Sequence, residues 1–324
     1  MIGSSFLRRI FPLLLVAFCS LGAAQDAPVT RPVKLVVPAG AGSTIDGIAR
    51  LLAPQLSSRW GQPVVVENVA GAGGVLGAQA VARANADALT LGVVASNLAV
   101  SPALQKKPPY DVAKDFAYLA YLASAPMVLY ANPAVPASNF KELQQAAAAR
   151  NRPFTYSSAG IGSTGHLAGE LISDATRLPL NHVAYKAVGQ ALTDAIGGQV
   201  ELFIAAASVG AEHVKAGRLK ALAHTGSGAL TNLPGVSSLP DAGLPDVRLE
   251  AWFGVVAPAS LPAPLRARME RDVLAAANSD AFKEFAAQQG LVQGVRNGEA
   301  FAALVKREAQ RWQAMAAKGI IEAQ

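Results

Sequence analysis

Val33-Lys34-Leu35-Val36-Val37-Pro38-Ala39-Gly40-Ala41-Gly42-Ser43-Thr44-Ile45-Asp46 runs from an apolar strand pattern through a glycine loop into a helix start. The same order returns at Phe154-Thr155-Tyr156-Ser157-Ser158-Ala159-Gly160-Ile161-Gly162-Ser163-Thr164-Gly165-His166. Glycine lets the backbone come close to a ligand, and the free N–H groups of a helix N-terminus favour an anion there. Two such loops, far apart in sequence and almost free of charge, point to two halves gripping one small anion.

Outward from these loops, apolar runs alternate with helical patterns, which predicts an α/β fold with largely parallel sheets. The first strand leads into a helix with apolar Ile45, Ile48, Ala49, Leu52 and Leu56 at helical spacing. Pro54 inside it predicts a kink rather than two elements. Strands are expected over 63–67 and 89–95, the latter ending at Ser96-Asn97, with Gly71-Ala72-Gly73-Gly74 and a helix between them. The run 116–130 is apolar apart from Ser124-Ala125-Pro126, and is long enough to cross between domains.

A second α/β series follows, with strands over 154–157, 182–185, 200–205 and 219–224 and helices over 140–150, 165–176, 189–196 and 210–216. Residues 225–245 read as irregular connection. A strand over 249–257 precedes three helical stretches, 263–277, 280–290 and 298–318. Those helices have no other sheet of their own, so they are expected to pack back onto the first domain. This predicts one lobe from 25–125 with 226–324 and another from 126–225. Two connections then form a hinge, the return crossing falling between Leu219 and Trp252.

With 324 residues the chain can bury a large core, and two domains are expected. Arg8-Arg9 precede an apolar stretch over 10–18, and Gly22-Ala23-Ala24 offers a small-residue cleavage site before Gln25. Residues 1–24 therefore read as a secretory signal peptide, too short to span a membrane, with export to the periplasm. Phe18, bulky where lipid-attachment sites want a small residue, argues against a lipoprotein built on Cys19. Cleavage removes Cys19, the sole cysteine, and with it disulfide scaffolding, cysteine catalysis and thiolate metal sites. The net charge of +6 falls to +4 once Arg8 and Arg9 are removed. Lysines and arginines are scattered with little aromatic interleaving, so no nucleic-acid partner is expected.

Gly160-Ile161-Gly162-Ser163-Thr164-Gly165 matches the dinucleotide fingerprint literally, but the next strand, His182-Val183-Ala184-Tyr185-Lys186, carries no acidic residue for a ribose. Neither loop contains the Gly-Lys-Ser/Thr of a P-loop. His166, His182, His213 and His224 have no ligand spacing, so no metal is expected. A serine of 157–163 beside His166 raises an exported serine hydrolase as the alternative, although no nucleophile-elbow motif exists. Asp46 reads either as a ligand contact or as a helix-dipole partner. Tyr185-Lys186 stands equally as a cleft cation or a surface lysine.

The run Lys34-Leu35-Val36-Val37-Pro38 with its glycine loop and Asp46 resembles the tripartite tricarboxylate transporter substrate-binding proteins, the Bug receptors. Further matches occur in family order. They are Gly61-Gln62-Pro63-Val64-Val65-Val66-Glu67-Asn68 with Gly71-Ala72-Gly73-Gly74, Pro109-Tyr110-Asp111 with Lys114-Asp115-Phe116, and Tyr156-Ser157-Ser158-Ala159-Gly160 with His166-Leu167-Ala168-Gly169-Glu170. Tyr185-Lys186, Gly197-Gly198-Gln199-Val200 and Trp252-Phe253-Gly254 with Ala257-Pro258 complete them.

The resemblance implies a type II-like periplasmic binding fold, a two-lobed Venus flytrap holding a small organic anion, usually a carboxylate. It implies a membrane permease or a sensor as partner, no catalysis, no metal and no cofactor; a monomer is expected. Ligand contacts are expected from Pro38, Gly40, Gly42, Ser43, Thr44, Asp46, Gly71, Ala72, Gly73 and Ser96 on the first lobe. On the second they are expected from Ser157, Ser158, Gly162, Ser163, Thr164, His166, Tyr185, Lys186 and Ala205. The chain departs from the family pattern at Ala70, at Ala187, and at Ala205-Ala206-Ala207-Ser208, where an acidic residue is common. Loss of that acid predicts a purely anionic or partly apolar carboxylate rather than an amino acid.

Overall fold

In the computed structural model, residues 27–85, 89–319 and 321 are described. The expected leader, its cleavage point and Cys19 lie outside them. The first half reads β1 (Val33–Val37), α1 (Thr44–Trp60), β2 (Val64–Asn68), α2 (Val75–Ala82), β3 (Thr90–Ala95), α3 (Asn97–Val100), β4 (Phe116–Ala131). Then come α4 (Phe140–Ala148), β5 (Phe154–Ser158), α5 (Thr164–Thr176), β6 (Leu180–Ala184), α6 (Val188–Ile196), β7 (Leu202–Ala206), α7 (Ala207–Lys215) and β8 (Lys220–His224). The chain closes with β9 (Glu250–Pro258), α8 (Ala263–Ala277), α9 (Asp280–Gln288), β10 (Val292–Asn297) and α10 (Gly298–Ala317). Among the described residues, no helix is long and apolar enough to cross a membrane.

The strands run in the order β2-β1-β3-β9-β4-β7-β5-β6, with β10 and β8 also paired to β4. The central strand β3 is buried along nearly its whole length, and β1 is buried at every residue but Lys34, which reaches solvent and pairs with Glu67 of β2. The edge strand β2 alternates between half-buried and exposed residues, with Val65 reaching solvent, and the opposite edge strand β6 holds no fully buried residue. Among the strands of the described residues, β1 pairs in parallel with β2 and β3, and β5 with β6 and β7. Every pairing made by β4 and β9 is antiparallel, so the sheet is mixed rather than largely parallel.

The 116–130 run forms one strand through Ser124-Ala125-Pro126 and carries the first crossing. β4 pairs with β9 from Phe116↔Pro258 to Pro126↔Glu250, then with β7 from Met127↔Ala206 to Ala131↔Leu202. Pro126, which has no N–H to give a ladder, sits where the partner changes. The return crossing is stitched to the same point. Thr225 N donates to Met127 O at 2.9 Å, Met127 N to Thr225 Oγ1 at 3.1 Å, and Leu249 N to Thr225 O at 3.2 Å. Two lobes thus meet at a narrow double crossing between sheet halves.

α1 is a single helix through Pro54, capped by Ser43 and ended by Gly61 in the left-handed region. Its residues Ile45, Ile48, Ala49, Leu52 and Leu56 are all buried. The stretch between the last two helices corrects the sequence reading: 292–297 is β10, antiparallel to β4, so the C-terminal helices do bring a second strand to the sheet. Its residues are partly exposed and not periodic in apolar character, which hid it.

α10 packs over the crossing strands. Trp252 Nε1 of β9 donates to Glu308 Oε2 at 2.6 Å, and desolvation pushes the Glu308 carboxyl up from 4.5 to about 7. An acid whose pKa is raised by folding holds its proton more tightly in the native state, so its contribution falls as pH rises between those values. Glu308→Gln keeps an acceptor for Trp252 but has no proton to lose. Thermal melts at pH 5 and pH 8 should show the variant gaining on the native chain at the higher pH.

Candidate ligand site between the lobes

The two glycine loops fold alike. Ser43 and Ser163 are N-caps with extended φ/ψ of −73°, 160° and −68°, 154°. Each accepts from the backbone N–H three residues on, Asp46 N at 3.4 Å and His166 N at 3.2 Å. Gly42 (φ 81°) and Gly162 (φ 77°) occupy the left-handed conformation that turns each loop into its helix. The residue reached by that glycine's N–H differs: Gly42 N donates to Asp46 Oδ2 at 2.9 Å, Gly162 N to His166 Nδ1 at 3.2 Å.

Asp46 is buried and its oxygens are spent within lobe one. Oδ2 also accepts from Arg50 Nε at 2.9 Å, and Oδ1 from Asn68 Nδ2 at 2.9 Å. The Arg50 and Gly42 donors hold its carboxyl down at about 2. It braces the loop and compensates the α1 dipole. In lobe two, burial holds His166 and His182 near 4, so both rings are neutral at ordinary pH. They stack with centroids 4.3 Å apart.

A cavity of about 690 Å³ opens between the loops. Lobe one presents Pro38, Ile45, Ala72, Gly73, Ser96 and Gln105 to it; lobe two presents Gly162, Ser163, Thr164, Ala205, Val188 and Val209. Ser96 Oγ and Thr164 Oγ1 stand 3.2 Å apart, a hydrogen bond across the cleft. Pro38 is held there by α2, whose Gly77 leaves no room for a Cβ against the proline. The N–H groups of Thr164 and Gly165, in the first turn of α5, have no intrahelical acceptor.

Several expected contacts point elsewhere. Ser157 is fully buried and donates to Ala191 O and Leu202 O, because strand alternation turns it into the lobe interior. Ser158 is buried beneath the loop, 2.7 Å from His182 Nε2, and receives a bond from Ser163 Oγ at 3.2 Å. The side-chain Ser–His bond here is therefore Ser158–His182, away from the cavity wall, while the His166 ring faces Gly162 N and Glu170. Tyr185 donates to Asp194 at 2.6 Å, which pushes its hydroxyl up to about 12, and Lys186 is an exposed residue outside the cavity lining. Gly40, Gly42, Ser43, Thr44, Asp46, Gly71 and His166 shape the loops without lining the cavity.

Sequence reading missed Leu104, Gln105, Met127, Val188, Val209 and Ala251 as cavity residues. They come from five separate elements and loops with no shared motif. Ala205 and Ala206, the first two residues of the Ala205-Ala206-Ala207-Ser208 stretch in which the resemblance led to the expectation of an acid, end β7 on the cavity wall. Among the described residues lining the cavity, none is charged, and no cluster of His, Cys, Asp or Glu could hold a metal.

Two α/β lobes, a double crossing and a loop-lined cavity between them define a solute-binding fold. The family model for the tripartite tricarboxylate transporter family receptor matches residues 48–320, and the chain belongs to that family. Protein BugT of Bordetella pertussis (strain Tohama I) is 33% identical over 289 residues, covering 89% of each chain. An R. palustris protein solved with adipate has a TM-score of 0.77 at 29% identity, covering 91% of this chain and 99% of that one. MatC from Rhodopseudomonas palustris, solved with bound malate, has a TM-score of 0.73 at 28% identity, covering 88% and 99%.

Proposed function

We propose that this chain is a periplasmic receptor whose lobes, 25–125 with 226–324 and 126–225, close on a small organic carboxylate and deliver it to a membrane permease. The observation that carries this reading is the uncharged interlobe cavity with the first-turn amides of α5 on its wall. Neutral donors hold an anion without a buried cation, and each charge-assisted bond contributes about 1.5–3 kcal/mol. The adipate and malate bound by the two relatives are of this class. Thr164 stands in both the helix turn and the cross-cleft bond, so ligand binding and closure share a residue.

A thermal-shift screen of mono-, di- and tricarboxylates tests this. A binding acid at 100 times its Kd should stabilise the protein by about 2.7 kcal/mol. Ser163→Ala, which removes the α5 cap, should cost about 1 kcal/mol of stability and weaken the hit roughly tenfold. Absence of any shift across the screen would remove the carboxylate reading.

A further inference from the structure

We propose that the ligand is a carboxylate with one charge and an apolar body, its carboxylate on the α5 loop and its body against the wall formed by Met127, Val188, Ile204 and Val209. This rests on the carboxylate reading above and narrows it to a substrate class.

The two cradles are matched in backbone and unmatched in charge. In the first turn of α1 the protein supplies its own anion, Asp46, hydrogen-bonded to Gly42 N. The corresponding residue of α5 is His166, and that first turn holds no acid. A helix N-terminus already compensated by an internal carboxylate has less to offer an external one. A single ligand charge therefore goes to lobe two.

The rest of the cavity does not welcome a second charge. Its walls carry Ile45, Leu104 and Ile161 beside the four residues named above, and no Lys, Arg or His among the described residues. The polar groups on lobe one are largely committed. Asn97 Nδ2 donates to Gly73 O, and Ser96 faces Thr164. Gln105 contributes a neutral amide. A second carboxylate closed into this space would be desolvated against aliphatic carbon without a cation, whereas methylenes or a ring would gain by burial.

Calorimetry with two matched sets tests the assignment: hexanoate, adipate and hexanamide; benzoate, terephthalate and benzamide. In at least one set the monoacid should bind at least tenfold tighter than both its diacid and its amide. Val188→Lys, at a position 37% exposed and therefore tolerant of the change, should narrow the monoacid-to-diacid ratio at least threefold by placing a cation on the apolar wall. Diacids binding as tightly as monoacids would overturn the inference and leave the carboxylate reading standing. An unchanged ratio in Val188→Lys would also overturn it, by removing the ligand body from that wall. Amides binding as tightly as acids, or silence from every acid, would overturn the carboxylate reading itself.

Discussion

Alanine at Gly165 is expected to lower ligand affinity at least 100-fold and destabilise the fold by about 1–3 kcal/mol, the usual range for overpacking. Gly165 lies in the first turn of α5 with its Cα against the backbone of β7. A Cβ there would fall closer to Ile204 O than real side chains come, and 3.3 Å from Ser158 Cβ. Both neighbours are fixed, one a carbonyl inside the sheet and the other a fully buried serine bonded to His182. The helix must back away from the sheet. The Thr164 and Gly165 amides then leave the cavity wall, and Thr164 leaves Ser96. Binding should suffer more than stability, because the displaced groups face the cleft rather than the core. Gly197→Ala is the matched control: its Cβ meets Thr193 O at an ordinary 3.4 Å, and neither affinity nor stability should change appreciably. Calorimetry and chemical denaturation of both variants check the pair; native affinity in Gly165→Ala would show that the α5 turn does not hold the ligand.

Phe301→Ala should be the most destabilising single truncation considered, at about 3–5 kcal/mol by denaturant unfolding. Phe301 of α10 is fully buried and stands edge-on to Tyr118 of β4 at 5.1 Å and to Trp252 of β9 at 5.2 Å. Its ring fills the space above Gly254, where a Cβ would collide with it. One side chain from the last helix thus fastens β4, which carries the first crossing, to β9, which follows the return crossing, and its loss leaves a cavity ringed by aromatics that cannot collapse together. Since none of these residues lines the interlobe cavity, the folded fraction of the variant should keep its ligand affinity. A loss below about 1 kcal/mol would mean that the strands hold the crossing without α10.

Local pattern carried much of this far. The apolar spacing of α1, the capping serines and the glycines before them were legible because they are set within a few residues, by helical periodicity and by the conformations glycine permits. β10 was not legible: Val292–Asn297 is half exposed, and only its partner β4 makes it a strand. Asp46 and His166 were both expected to touch the ligand, and their bonds to Gly42 and Gly162 turn them instead into braces of their own loops. The serine-rich strand end offered Ser157 and Ser158 as contacts, and the structure buried both, Ser157 against α6 and β7 and Ser158 beneath the loop on the opposite face.

By itself the sequence determined the alternation of strands and helices, the two glycine loops and the family, since each is written in contiguous residues. Tertiary structure alone decided the mixed sheet, the crossing at Pro126 and Thr225, and the uncharged wall shared by Met127, Val188, Val209 and Ala251. Those depend on which distant segments pair and in what register, and a one-residue shift in a strand would turn each side chain to the opposite face.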